Sequence, residues 1–329
     1  MKTLSRIERR PHRLLNIRNP RHLAQRLGVR LGLLRNLTSR LDLHYAPTRL
    51  VKKKDGRRTR RITAPRPTLK KVQRRINDVL LSDLWLPDTI HGYRPQRSPK
   101  TAVAPHAGRK FLLVLDIRDF YPSIPSRAVY KMFQKLGCSP DVSRLLTLLT
   151  TRDHCVPQGA PTSPALSNAY LRLSGVAARL EGLARKFALT ITFFGDDIII
   201  SSERPFHGLT SQLANAVTAS GLRLNTEKST GVAGPRESHR ALGTVTNSNA
   251  SQIDVPRSYR RRIRALIRLC KRKGPNALKD YGITTKDPRA FLRGKIAFAV
   301  YINARNAHLI EELNTVAWRA PAPAFSEPA

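Results

Sequence analysis

Residues 193–197 read Phe-Phe-Gly-Asp-Asp and stand between two β-favouring runs, Leu-Thr-Ile-Thr at 189–192 and Ile-Ile-Ile-Ser at 198–201. A glycine-centred turn between such runs predicts a β-hairpin. Asp196 and Asp197 would then share the tip of that hairpin. Two neighbouring carboxylates repel each other, and a bound cation relieves the repulsion. A solvated polar turn without a cation is the alternative interpretation.

A third carboxylate follows another apolar run. Residues 110–115, Lys-Phe-Leu-Leu-Val-Leu, have the pattern of a buried strand that ends at Asp116. An acid in this position is either the N-cap of the next helix or a metal ligand. Three carboxylates suit hard divalent cations, and two Mg²⁺ ions about 3.5–4 Å apart can hold the attacking and leaving oxygens of a phosphoryl transfer. We therefore expect Asp116, Asp196 and Asp197 to form one site.

A loop between these two segments completes a recognisable order of motifs. Residues 156–168 read Val-Pro-Gln-Gly-Ala-Pro-Thr-Ser-Pro-Ala-Leu-Ser-Asn, turn residues that lead into a helix start. In order and spacing, the Asp116 segment, this loop and the Phe-Gly-Asp-Asp turn resemble three motifs of reverse transcriptases, within them those of the bacterial retron type. The resemblance extends from about Tyr45 to about Leu313. It implies an α+β right-hand polymerase with fingers, palm and thumb, whose antiparallel palm sheet is backed by helices.

The resemblance also implies a reaction and its partners. The expected enzyme is an RNA-directed DNA polymerase that copies a cognate structured non-coding RNA, with dNTPs as substrates and DNA as product. Two Mg²⁺ ions, or Mn²⁺ in their place, would be the cofactors, and Asp116, Ile117 (through its carbonyl), Asp196 and Asp197 their ligands. Family membership further implies priming from an internal 2′-hydroxyl of the template RNA, anti-phage defence and an effector protein as partner.

A basic hairpin at residues 49–65 is similar to the part of the fingers that binds the triphosphate. Lys54 and Arg60 belong to elements like the family's Lys-x-Gly and Arg-x-Ile. Arg60 is the stronger candidate, because a guanidinium fork suits phosphate oxygens. Gln158 and Gly159 of the loop would complete this part of the dNTP site. A hairpin that only contacts the template backbone is the alternative.

Tyr121 bears on the class of nucleotide. It lies five positions after Asp116, where an aromatic residue in reverse transcriptases resembles a steric gate against the 2′-hydroxyl. Viral RNA-dependent RNA polymerases also carry a Gly-Asp-Asp turn, but they typically place an acid at the gate position. Tyr121 therefore joins the predicted dNTP site and favours deoxynucleotides over the RNA polymerase alternative. A ring that only packs beside Phe120 is the other interpretation.

Two further elements resemble parts of the same machinery. Residues 225–228, Asn-Thr-Glu-Lys, are similar to the family's Asn-x-x-Lys. Lys228 would follow a strand at 222–224 and approach the pyrophosphate leaving group as a catalytic cation, with a surface lysine as the alternative. Residues 240–247 resemble the hairpin that holds the primer end, with Leu242 and Gly243 as the primer grip.

The chain departs from the family pattern at several positions. Phe194 stands where Tyr is usual, and Gly195 stands where Ala is common. Of the retron element Asn-Ala-x-x-His, only His106 is kept in register, and the Val-Thr-Gly element is replaced by Ala-Leu-Gly at 241–243. Because these elements are tied to recognition of the cognate RNA, another bacterial defence-associated reverse transcriptase is an alternative. For His106, we favour a hydrogen-bonded or RNA-contacting role over metal binding.

The charge balance independently indicates a polyanionic partner. The 329 residues include 60 Lys and Arg against 22 Asp and Glu, a formal net charge of +38, which is most simply explained by nucleic acid. No run of eighteen apolar residues is present, so we expect no membrane partner. The three cysteines have no metal-ligand spacing and fit reduced thiols in a cytoplasm. A non-catalytic RNA-binding protein remains an alternative, which the presence of all three acids disfavours.

Together with the basic, helix-patterned N-terminal segment and the Ala- and Pro-rich tail, the resemblance implies a division into five regions. These are an N-terminal basic helical region (1–44), fingers (45–110), a palm (111–250) with a finger-side helical insertion at about 126–155, a helical thumb (251–319) and a disordered tail (320–329). Residues 164–187 are predicted as one long helix, and residues 259–270 as an arginine-rich helix. The expected nucleic-acid contacts of the thumb are Arg257, Arg260, Arg261, Arg264 and Arg268.

Overall fold

The computed structural model describes residues 15–52, 59–246, 248–249 and 252–318. Lys54 and the turn of the basic hairpin, the first 14 residues and the predicted tail at 320–329 lie outside the described residues. The helices are α1 (Pro20–Leu27), α2 (Leu31–Ser39), α3 (Pro67–Ile76), α4 (Pro99–Val103), α5 (Ser126–Lys135), α6 (Pro140–Thr150), α7 (Ser163–Leu173), α8 (Val176–Phe187), α9 (Thr210–Thr218), α10 (Arg257–Lys273), α11 (Pro288–Ile302) and α12 (His308–Asn314). The strands are β1 (Arg49–Lys52), β2 (Thr59–Ile62), β3 (Phe111–Asp116), β4 (Thr190–Phe194), β5 (Asp197–Ser202), β6 (His239–Ala241) and β7 (Thr244–Thr246).

A three-stranded antiparallel sheet lies at the centre, with the order β3-β5-β4. Strands β4 and β5 form the hairpin expected around residues 193–197, and β3 is the strand expected before Asp116. The strands β1–β2 and β6–β7 pair as two separate antiparallel hairpins. The chain is therefore an α+β protein whose sheets are small and antiparallel.

Both faces of the central sheet are covered. Successive side chains of a strand point to opposite faces, so Leu113 and Leu115 of β3 join a core with the N-terminal helices. Leu112 and Val114 face the other way and join a second core with α10, α11 and α12. Burial of each such side chain stabilises the fold by about 1.5–3 kcal/mol. The continuous apolar run before Asp116 follows from this double burial.

Two predicted elements were wrong in detail. Residues 164–187 form two helices, because Gly175 adopts a left-handed conformation (φ +85°) that ends α7 and precedes α8. The helical spacing of apolar residues continues across this break and so hides it from the sequence. Residues 222–224 form no strand; Leu224 makes a single antiparallel bridge with Ile117 before the chain turns at Asn225.

Other expectations were confirmed. Residues 15–44 contain the amphipathic helices α1 and α2, and residues 126–155 contain α5 and α6. Ser139 caps α6 through its side chain, with Pro140 at the first helical position. The arginine-rich helix α10 is longer than predicted at both ends. No helix in the described part of the chain is both long enough and apolar enough to span a membrane.

Candidate active site

The sheet brings the three predicted carboxylates together. In the register of β3 with β5, Asp116 is the direct partner of Asp197. Asp196 occupies the turn between β4 and β5, and its backbone carbonyl accepts a 2.8 Å hydrogen bond from the Ile117 N–H. Residues that are 80 positions apart in sequence therefore meet at one end of the sheet.

The electrostatics of this cluster follow from its burial. Asp116 is only 4% exposed. Burial raises the pKa of Asp197 to about 7, and the negative charges of Asp196 and Asp116 add to the rise. Burial also raises the pKa of Asp196, with Asp116 adding to the rise and the positive charges of Lys228 and Arg60 opposing it. The negative charges of the cluster thus lie close enough to disfavour ionisation of Asp196 and of Asp197.

The segment after Leu224 binds directly to Asp116. Asn225 donates from its backbone N–H to the Asp116 carbonyl and from Nδ2 to Asp116 Oδ1, both at 2.8 Å. Lys228 Nζ lies 2.7 Å from Asp116 Oδ2. The Asp116 N–H in turn donates to Ser229 Oγ at 3.2 Å. Both oxygens of this carboxylate therefore have a partner, and Lys228 supplies the nearest positive charge.

This donor set fits a hard divalent cation by its chemistry. Three carboxylates supply anionic oxygens, and the raised pKa values of Asp196 and Asp197 reflect a need for positive charge that a cation meets. Within the residues that the structure describes, however, no three His, Cys, Asp or Glu side chains already converge as a metal-binding group. Asp116 is engaged by Asn225 at Oδ1 and by Lys228 at Oδ2.

The loop after Pro157 packs against the end of the basic hairpin. The Thr63 N–H donates to the Gln158 carbonyl at 2.8 Å. Gly159 has a φ of +119°, and a Cβ there would lie 3.1 Å from Ile62 Cγ2 and 3.2 Å from the Thr63 carbonyl oxygen. Only glycine fits this close approach without strain. Gln158 and Gly159 are thereby held beside β2, the strand that carries Arg60.

Tyr121 lies beside Tyr93 and Phe120, with ring centroids 6.4 and 6.0 Å away. Burial raises its pKa, the neighbouring Tyr93 adds to the rise, and the positive charge of Arg60 opposes it. The negative charge of Asp196 is a further cause of the rise. The structure thus brings Tyr121 near both Arg60 and Asp196.

Comparison with known proteins matches this arrangement to one family. A family model described as reverse transcriptase (RNA-dependent DNA polymerase) matches residues 51–255, more than half of the chain. The chain belongs to the reverse transcriptase family. The matched segment includes the three carboxylates, the loop at Gln158 and Lys228, so the predicted enzyme class, an RNA-directed DNA polymerase, is confirmed.

Three retron enzymes are similar over most of this reverse transcriptase. The retron Mx65 reverse transcriptase of Myxococcus xanthus is 32% identical over an alignment that covers 88% of this chain and 70% of that protein. The retron Mx162 reverse transcriptase of the same organism is 30% identical, with coverages of 77% and 59%. The retron Ec86 reverse transcriptase of Escherichia coli is 28% identical, with coverages of 76% and 77%. These similarities confirm the predicted retron type.

The hairpin with the predicted primer-grip residues lies on the second core of the reverse transcriptase. Leu242 (φ +51°) and Gly243 (φ +77°) form the two-residue turn between β6 and β7, as a turn with two positive φ angles requires. A left-handed conformation is unusual for leucine and is a strained feature of the kind found at functional sites. Ala241 packs into the core with the C-terminal helices.

The five predicted arginine contacts of α10 fall into two groups. Arg260 forms an ion pair with Asp254. Arg264 pairs with Glu312 at 3.1 Å and donates to His308 Nε2 at 2.9 Å. Four exposed arginines of the helix lie on one stripe, at intervals of four or seven positions: Arg257, Arg261, Arg268 and Arg272. Arg272 was missed, although the same spacing could have identified it.

His106 has no access to RNA in the reverse transcriptase. It is fully buried, and its ring contacts Ser201 Oγ through Nδ1 at 2.7 Å and Thr192 Oγ1 through Nε2 at 2.9 Å. Because Thr192 gives its only hydroxyl proton to the Ala102 carbonyl, Nε2–H donates to Thr192 and Nδ1 accepts from Ser201. Burial lowers the His106 pKa to about 3. The hydrogen-bonded role is confirmed, and contact with RNA is excluded.

Two residues of the site were missed as participants. Asn225 was noted only as part of a motif, although its contacts with Asp116 make it the residue that orients this carboxylate. Tyr93 lies in a segment, residues 91–94, that carries no catalytic pattern in the sequence. Its proximity to Tyr121 results from packing between residues that are far apart in the chain.

Proposed function

We propose that this enzyme copies a structured non-coding RNA into DNA by two-metal nucleotidyl transfer, with residues 45–110 as fingers, 111–250 as palm and 251–319 as thumb. The observation that carries the proposal is the β3–β5 register, which pairs Asp116 with Asp197 beside Asp196. A primer hydroxyl attacks the α-phosphate of a dNTP, and pyrophosphate leaves.

Metal ligation is assigned to Asp116, Asp196, Asp197 and the Ile117 carbonyl. Two Mg²⁺ ions, or Mn²⁺, would supply charge stabilisation for the attacking and leaving oxygens. Asn225 keeps the Asp116 carboxylate in orientation through its 2.8 Å hydrogen bond. The repulsion among the three clustered acids is the local charge excess that such cations offset.

The nucleotide side of the site is assigned to residues from three segments. Arg60 would bind the triphosphate, with Lys54 from the same hairpin. Gln158 and Gly159 would border the base and sugar, a role that their contacts with residues 62–63 support. Tyr121 would exclude the 2′-hydroxyl of ribonucleotides, so that dNTPs are used.

Lys228 is assigned a role in the departure of pyrophosphate. Its ammonium group lies at the carboxylate cluster and is 36% exposed, so it can leave Asp116 and meet an incoming phosphate. A cation at that position stabilises charge that develops on the leaving group and can donate a proton to it.

Holding of the primer end is assigned to the turn Leu242-Gly243, and nucleic-acid binding to the arginines of the thumb helix α10. The exposed stripe of α10 supplies positive charge at the spacing of one helix face. Priming from an internal 2′-hydroxyl of the template RNA, anti-phage defence with an effector protein, and a cytoplasmic location complete the proposal. The three free cysteines support the last point.

The deciding experiment identifies the nucleic acid that the enzyme holds. We expect the purified wild-type protein to carry one abundant RNA joined to DNA, and the D196N variant to carry the RNA alone. Sequencing of the co-purified nucleic acid, with and without ribonuclease, distinguishes these states. A wild-type protein that extends primers with NTPs in preference to dNTPs would contradict the proposal.

A further inference from the structure

Tyr93 has two unfavourable features that the proposed mechanism does not use. Its backbone has a φ of +57°, a left-handed conformation that is uncommon for an aromatic residue. Its side chain is 53% exposed, next to the turn that carries Asp196. Strained backbone and exposed aromatic surface both cost free energy and tend to occur at functional sites.

The segment that carries Tyr93 is bound tightly to that turn. The His91 N–H donates to the Phe193 carbonyl at 2.8 Å. A Cβ at Gly92 would lie 2.4 Å from the Gly195 nitrogen, so this close backbone approach requires glycine. The buried Asn168 donates from Nδ2 to the Gly92 carbonyl at 2.8 Å. The position of Tyr93 is therefore coupled to the catalytic hairpin.

The ring of Tyr93 contacts two residues of the proposed site. A Cβ at Gly195 would lie 3.2 Å from the Tyr93 hydroxyl oxygen and 3.4 Å from Cε2. The ring centroids of Tyr93 and Tyr121 are 6.4 Å apart, with a tilt of 38°. Tyr121 also stacks with Phe120, with ring centroids 6.0 Å apart and an interplanar angle of 18°. Tyr121 thus has aromatic contacts with Tyr93 and with Phe120.

Gly195 is the position at which this chain departs from the alanine common in the family. A methyl group there would press on the Tyr93 hydroxyl, and the φ of +63° at Gly195 adds strain for any other residue. Because Gly195 has no side chain, the Tyr93 ring has space beside the turn.

We propose that Tyr93 is a positioning residue for nucleotide selection: it holds the Tyr121 ring in the orientation that excludes a 2′-hydroxyl. This inference rests on the proposed role of Tyr121 as the gate. Selection of dNTPs then depends on two tyrosines from distant segments, one that meets the sugar and one that limits the movement of the first.

The test compares kcat/KM for each dNTP and its matching NTP in single-nucleotide extension. Tyr93→Phe keeps the ring and removes only the hydroxyl, so it should raise relative NTP use by less than about threefold. Tyr93→Ala removes the ring and should raise it about tenfold or more. Tyr121→Ala tests the gate itself. Tyr281→Ala, which removes an exposed ring elsewhere (64% exposed), should leave the ratio unchanged.

The Tyr93/Tyr121 double variant separates positioning from independent contact. If Tyr93 acts through Tyr121, the Tyr93→Ala substitution should change selectivity much less in a Tyr121→Ala background than in the wild type. An equal loss of kcat/KM for dNTPs and NTPs in Tyr93→Ala, with the ratio unchanged, would overturn the inference and identify a base-stacking surface instead. If the ratio of kcat/KM for NTPs to that for dNTPs were unchanged in Tyr121→Ala, the proposed role of Tyr121 as the gate would be wrong.

Discussion

Lys228 Nζ lies 2.7 Å from Asp116 Oδ2, at the point where three carboxylates meet. Asp116 is buried and Lys228 is partly exposed, so the ion pair neutralises the acid that has the least access to water. The same ammonium group is the one proposed to meet the leaving pyrophosphate. Lys228 therefore has two partners, Asp116 in this structure and the leaving pyrophosphate in the proposed reaction.

Substitution of Lys228 should affect chemistry more than nucleotide binding. We expect Lys228→Ala to lower the maximal incorporation rate by about tenfold or more, with a smaller rise in the apparent KM for dNTPs, because the lost cation acts on developing charge. Pre-steady-state incorporation of one nucleotide measures both. Lys279→Ala, at an exposed position elsewhere, serves as the matched control. An unchanged maximal rate in the Lys228 variant would show that Lys228 has no role in the chemical step.

All three carboxylates should be required for DNA synthesis, and the Asp197 carboxylate should lower the stability of the metal-free protein. Asp197→Asn is expected to abolish DNA synthesis and leave RNA binding largely intact, as are the Asp116→Ala and Asp196→Ala variants. Because the Asp197 pKa is raised to about 7, ionisation of this group near neutral pH opposes folding. The neutral asparagine should therefore raise the Tm of the metal-free protein by roughly 2 °C or more.

Metal addition provides a second measurement on the same variants. Mg²⁺ should raise the Tm of the wild type, since an ion that binds only the folded state stabilises it. The increase should be much smaller for Asp197→Asn, which lacks one anionic ligand. Equal Tm increases in the two proteins, together with normal primer extension by the Asp variants, would refute the assigned metal site.

Acidification should weaken the hydrogen bonds of His106. Its folded pKa is about 3, against about 6.5 in an unfolded chain. A lowered histidine pKa gives stability that is complete above about pH 6.5 and is lost as the pH falls from there toward 3. Between pH 8 and pH 5 the loss is on the order of 2 kcal/mol. His106→Gln cannot titrate, so its Tm should approach that of the wild type as the pH falls.

Thermal unfolding at pH 8 and at pH 5 measures this difference. At pH 8 the variant should be the less stable protein, because Ser201 and Thr192 lose well-placed buried partners. His154→Gln, at an exposed histidine, should show the wild-type profile. A constant Tm gap between wild type and His106→Gln across this range would show that protonation of His106 does not limit stability.

The arginines of α10 should separate into binding and structural residues. Each of Arg257→Ala, Arg261→Ala and Arg268→Ala should lower the dependence of log affinity on log salt by about 0.7–0.9, the effect of one lost phosphate contact. Arg264→Ala removes an arginine that pairs with Glu312, so it should change the Tm more than the salt slope. RNA binding followed by fluorescence anisotropy across a salt series makes the comparison. Equal slopes in all four variants would contradict the division.

Much of the candidate site could be predicted because its signals are local. The turn at 193–197 and the apolar run before Asp116 follow from residue types within short windows, and they were confirmed as the β4–β5 hairpin and as strand β3. The break at Gly175 was not predictable, because apolar residues keep their helical spacing on both sides of it. The segment at 222–224 was also misassigned, since an alternating pattern cannot tell a paired strand from a single bridge.

The sequence by itself determined the family, the strongly basic character and the three acids, because these depend on composition and on motifs of a few consecutive residues. Only the tertiary structure decided which of these side chains contact one another. Asn225 and Lys228 meet Asp116 across more than 100 positions, Tyr93 meets Tyr121 and Gly195, and His106 is buried away from RNA. Contacts between residues so far apart arise from the packing of whole elements around the two cores, and local propensities carry no record of that packing.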